Sequence, residues 1–140
     1  MKNLYIFLFF AFIFSITQIY FWDDTCDDSY ITFRYVERFL EGKGITFNDG
    51  ERVEGFSHPL WFFLLSFLKF ILPFNLEFLS HILGFILSLI LLFFLTKGND
   101  FFTSFLSAFL LLTTPAFLYY STSGLETPLF ALLIFLSFYF

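Results

Sequence analysis

LYIFLFFAFIFSITQIYFW, residues 4–22, carries no charge over nineteen positions and is followed at once by DDTCDD, residues 23–28. A spanning helix needs about 20 mostly apolar residues to cross a hydrocarbon core of about 30 Å. The run therefore predicts a transmembrane helix over 4–22, and the aspartates mark where the chain leaves the lipid. Lys2 resembles the positive start of a signal peptide. No small-x-small cleavage site precedes Asp23, however, and more apolar segments follow, so an uncleaved anchor is expected.

Working outward, composition gives the same class. Hydrophobic residues make up 59% of the chain, charged residues 14%, and mean hydropathy is +0.83, well outside the soluble globular range. Residues 23–58 hold nine acidic and four basic side chains, which account for the whole net charge of −5. With the remainder neutral, no basic face exists to neutralise phosphates, so a nucleic-acid partner is excluded. Cys26 is the single cysteine and can form no intramolecular disulfide.

The other apolar runs complete an all-α membrane fold. Residues 59–72 are too few to span, carry Lys69, and predict an interfacial helix. Spans are expected over 76–95 and 101–120, joined by TKGND, whose Lys97 suits the cytoplasmic side together with Lys2. The outer loop then covers 23–75, and STSGLET (121–127) emerges on the same face. A last helix over 127–140 is short for a span, which predicts that residues 1–140 are the N-terminal part of a longer multi-spanning protein.

Within the outer loop, Phe33, Val36, Phe39 and Leu40 fall on one side of a helix over 30–41 and Arg34, Glu37, Arg38 and Glu41 on the other. This pattern predicts an amphipathic helix lying on the bilayer surface, its arginines near lipid headgroups. Gly42 is the expected helix stop, a short extended piece follows at Ile45 to Phe47, and Asn48-Asp49-Gly50 is a turn. Asp28 or Ser29 suits the helix cap, which leaves Asp27 without a structural task. Asp23 and Asp24 suit the membrane boundary.

DDSYITFRY (27–35), GKG (42–44), FNDGERVEG (47–55), SHPLW (57–61) and SGLET (123–127), in that order, resemble the GT-C superfamily of membrane glycosyltransferases, nearest to its bacterial arabinofuranosyltransferase-like branch. The resemblance is dense in the first loop and thin elsewhere. It implies a GT-C-like helical bundle and an inverting transfer from a polyprenyl phosphate-linked sugar to a hydroxyl of a glycan or lipid acceptor at the outer face. It further implies Asp27 as the general base, with Asp28 as second choice and Glu126 as the acid of the second outer loop. Related enzymes present an arginine near the start of the second span; here His81 stands there, and a structural histidine is the competing reading. His58 and Arg52 are further candidates for the donor phosphate, although SHP is also a good helix start, and Glu126 equally suits the first turn of the next helix.

The chemistry agrees with these assignments. A carboxylate that takes the acceptor proton accelerates transfer by roughly 10² to 10⁴, and the phosphate leaving group needs electrostatic support rather than a proton. No cofactor is assigned by the sequence. A divalent cation is compatible with clustered oxygen ligands, but the spacing assigns it none. The alternatives are a non-enzymatic membrane subunit or transporter fragment, for which the charge of the loop matters but not its position, and an inactive remnant of a glycosyltransferase.

Overall fold

A computed structural model describes residues 2–51, 53, 55 and 57–139. Among them there are seven helices and no strand: α1 (Lys2–Phe21), α2 (Asp27–Leu40), α3 (Pro59–Ile71), α4 (Leu76–Thr96), α5 (Phe101–Leu112), α6 (Pro115–Tyr120) and α7 (Thr127–Tyr139). The all-helical expectation is met. Only α1 and α4 are both long and apolar enough to cross a membrane, whereas α3, α5 and α7 are shorter apolar helices.

α4 is the central element and packs on α1, α3, α5 and α7. Phe14 of α1 stacks on Phe85 of α4 with centroids 5.5 Å apart and meets Phe117 of α6 at 5.9 Å. At one end of the bundle, Asn3 Nδ2 donates to the Asn99 carbonyl at 2.7 Å, which brings the Lys2 end of α1 beside the Lys97 turn. The acidic residues 23–28 lie at the opposite end, where Trp22 meets Phe78 and His81 at the start of α4. The two ends thus differ in charge.

The span expected over 101–120 is instead two helices, broken at Thr113 and Thr114. Pro115 is the cause. Its ring disfavours helical backbone at the preceding residue, and its missing N–H removes a bond of the helical ladder; Thr114 is accordingly extended, at φ −88° and ψ 105°.

After α6 the chain does not leave the bundle. A Cβ at Gly84 would collide with the Ser121 carbonyl oxygen, so the two backbones touch. Gly84 lies two turns into α4, about 12 Å along its axis. Irregular backbone at that depth is stable only under protein cover that satisfies its polar groups, and here each neighbour supplies some. Gln18 Nε2 donates to the Leu118 carbonyl at 3.1 Å and its Oε1 accepts from Thr122 at 2.8 Å. Ser88 donates to Ser121 at 3.1 Å, the Cys26 N–H to the Ser123 carbonyl at 2.9 Å, and Trp61 Nε1 to the Gly124 carbonyl at 3.1 Å. Gly124 has φ +92°, and a Cβ there would stand 2.8 Å from Ser29 Cβ. Residues 121–124 are all buried as a result.

Three loop expectations change. α2 starts three residues earlier than the periodicity suggests and has no side-chain cap; Cys26 occupies that position, and Ser29 Oγ donates back to its carbonyl at 2.6 Å. The apolar side of α2 is divided: Phe33 and Val36, with Tyr35, are buried in one cluster with Trp61, Phe62, Leu65 and Leu129, whereas Phe39 and Leu40 stay exposed. Arg38, placed on the headgroup side by its charge, is 3% exposed and bonds Thr46 and Asp49. The buried part of that side packs chiefly on α3. Gly42 does end the helix, at φ +76°, while residues 45–47 form no strand.

The Arg38 bond holds the Asp49 carboxyl below its ordinary value of 3.8. A carboxyl depressed in the folded state binds fewer protons than in the unfolded one, so its contribution is present above the ordinary value and lost as pH falls through the folded one. Protection of the amides of residues 43–50, taken relative to the intrinsic exchange rate at each pH, should therefore fall on acidification below about pH 4, and Asp49→Asn should show low protection already at neutral pH with that acid step removed. An unchanged step in the variant would assign it to another group.

Candidate functional site

Three of the residues singled out by the sequence meet in one cleft. Asp28, Ile31, Thr32, Gly55, Ser57, His58, Leu125 and Glu126 line a volume of about 530 Å³ between the start of α2 and the approaches to α3 and α7. Each is placed by a local rule. Asp28 sits in the first turn of α2, where the helix dipole favours a carboxylate, and Thr32 follows it by one turn on the same face. His58 precedes Pro59, which takes the first helical position of α3. Glu126 accepts the Phe130 N–H at 3.0 Å with its carbonyl, so it stands at the head of α7.

His58 joins the parts. Its Nε2 is 2.7 Å from Thr32 Oγ1, and its Nδ1 is 3.3 Å from Glu126 Oε2. The second distance is long for a hydrogen bond and within the range of an ion pair. Residues 32, 58 and 126 come from three separate elements, so this contact exists only because residues 121–124 are drawn down into the bundle.

A second hollow adjoins the cleft. Leu60, Trp61, Leu129, Phe130 and Leu133 form an apolar groove of about 370 Å³ between α3 and α7, and Ser57, His58 and Glu126 belong to both spaces. Polar and apolar compartments meet at the His58–Glu126 contact.

The other candidates are dispersed. Asp27 is exposed and does not line the cleft. His81 is buried, 3.1 Å from Thr25 Oγ1 through Nε2, in a hollow with Trp22, Asp23, Asn75, Glu77 and Phe78 that shares no residue with the cleft. Arg52 lies outside the described residues. Among the described residues no three His, Cys, Asp or Glu side chains converge at metal-binding range, so the structure assigns no ligand set for a divalent cation.

Two residues escaped the sequence reading. Glu77 accepts from Thr25 and from Tyr30, the latter at 3.1 Å, and so ties the first loop to α4; the bond raises the Tyr30 phenol above its ordinary range. Thr32 was legible in principle, because four-residue spacing from Asp28 puts both on one face. No family model matches the chain, and neither the curated proteins nor the solved structures compared with it include a match.

Proposed function

We propose that this chain carries the base-bearing cleft of a multi-pass membrane glycosyltransferase, which moves a sugar from a polyprenyl phosphate to an acceptor hydroxyl in cell-envelope glycan synthesis. The supporting observation is the junction at His58 and Glu126, where a polar cleft holding two carboxylates opens into an apolar groove between two helices. An amphiphile with a hydroxylated head and a hydrocarbon tail matches both compartments at once.

Within that reading Asp28 moves ahead of Asp27 as the base. A general base must come within hydrogen-bond reach of the proton it takes, and Asp28 lines the cleft whereas Asp27 does not. Glu126 faces the same space and orients the hydroxylated groups. The apolar groove carries the tail, and the acidic end faces outward from a bacterial inner membrane because Lys2 and Lys97 share the other end.

Topology gives a direct test. In a Cys26→Ser background, Glu126→Cys should react with a membrane-impermeant maleimide added outside intact cells, and Lys97→Cys should react only after the membrane is opened. Labelling of position 126 solely from the cytoplasmic side would remove the site from the outer face and the proposal with it.

A further inference from the structure

The start of α2 is held on both sides of its two aspartates. Glu77, in the first turn of α4, accepts with one oxygen, Oε1, from the hydroxyl of Thr25, two residues before α2, and from that of Tyr30 in the first turn of α2, the latter at 3.1 Å. His81, one turn further along α4 and on the same face, brings its Nε2 to 3.1 Å from the same Thr25 hydroxyl. Hydrogen bonds to an ionised carboxylate are the strong ones. The apolar cluster that buries α2 begins only at Phe33 and lies chiefly on α3. Asp27 and Asp28 precede it, on a segment tied to α4 at each end.

The tie is directional. A helix turns by about 100° per residue, so Asp28 and Tyr30 lie about 200° apart around α2. Drawing Tyr30 to Glu77 on one side sends Asp28 to the other, where the cleft opens. Asp27 is one step of about 100° away and does not line that cleft. We infer that Glu77 is a positioning residue: by holding Thr25 and Tyr30 it sets the direction of the first turn of α2 and so presents Asp28, and not Asp27, to the cleft. The two aspartates are adjacent and chemically identical, and orientation alone separates them. What that choice does for transfer rests on the proposed function; the orientation itself does not.

Cross-linking reads the orientation without a substrate. In the whole chain in detergent, with Cys26→Ser, a short bis-methanethiosulfonate should bridge Asp28→Cys to Glu126→Cys several-fold faster than Asp27→Cys to Glu126→Cys. Glu77→Leu should abolish that preference. Glu77→Gln, whose amide oxygen still accepts from both hydroxyls, should keep it. Tyr30→Phe should reduce it, and because it removes only the hydroxyl of an exposed side chain, a change there is not a failure to fold. Equal bridging of the two pairs in the otherwise native chain would overturn the inference, as would a preference unmoved by Glu77→Leu. Transfer from a polyprenyl phosphate hexose separates the two claims. With Asp28 as base, Glu77→Leu should lower kcat by up to about 10²-fold, the cost of displacing a reacting group by about an ångström. It should lower it no further in Asp28→Asn, where no base remains to be placed. If bridging obeys Glu77 but transfer is indifferent to Asp28→Asn, the glycosyltransferase reading fails while the positioning stands. If transfer falls with Asp28→Asn but bridging ignores Glu77→Leu, the converse holds.

Discussion

Replacing Asp28 with Asn is expected to lower sugar transfer by on the order of 10²-fold or more, with the protein still inserted and folded. The substitution keeps the size and most of the hydrogen bonding of the side chain and removes only its ability to take a proton. Its structural cost is small, because Asp28 is exposed in the first turn of α2 and gives no side-chain cap to the helix, whose N-cap position is Cys26. Asp27→Asn is the internal comparison. That residue shares the turn and the charge but does not line the cleft, so its effect should be minor. A loss confined to Asp27→Asn would restore the assignment implied by family resemblance and exchange the two roles. Undiminished transfer in the double variant would eliminate catalysis by this loop and favour a charge-gathering, non-enzymatic subunit. Adding an acid elsewhere in residues 23–28 of the double variant sharpens the choice, since charge alone would then rescue binding but not proton transfer.

The second large effect concerns stability. Trp61→Ala should destabilise the fold by about 3–5 kcal/mol, the usual cost of emptying a buried aromatic site. Trp61 is 1% exposed, lies in the cluster with Phe33, Val36, Leu65 and Leu129, and donates to the Gly124 carbonyl. Its loss therefore opens a cavity and orphans a buried acceptor together. Trp61→Phe separates the two, because it keeps most of the ring and removes the donor; about 1–3 kcal/mol is expected for the acceptor left unpaired. Both can be read from denaturant unfolding in detergent. If Trp61→Ala changed stability by less than Trp61→Phe does, the packing described around residues 121–124 would be wrong. The effect also reaches the site, since Trp61 holds Gly124 and the chain then leads directly to Glu126.

Much of the local structure is legible because it depends on near neighbours. A run of nineteen uncharged, mostly apolar residues predicts a helix long and apolar enough to cross a membrane without reference to the rest of the chain. Pro59 at a helix start and Gly42 after a helix end act through their own backbone restrictions. Pro115 was equally legible as a breaker, and a hydropathy window over 101–120 hides it because every residue around the break is still apolar or uncharged. The burial of α2 was not legible in this way. Its periodicity shows that one side seeks apolar surroundings, and a bilayer surface and a neighbouring helix satisfy that requirement alike.

The amino-acid sequence by itself determined that this is an all-helical chain with membrane-length apolar helices, an acidic loop at the end opposite Lys2 and Lys97, and candidate acids at positions 27, 28 and 126. Hydrophobic length and charge decide these through interactions with solvent, which each residue meets on its own. Only the tertiary structure decided that Asp28 rather than Asp27 lines the cleft, that His58 stands between Thr32 and Glu126, and that an apolar groove opens beside them. Those facts depend on residues 121–124 being drawn against Gly84, Gln18 and Trp61, and pairings across such distances in the chain follow from packing, which no local window contains.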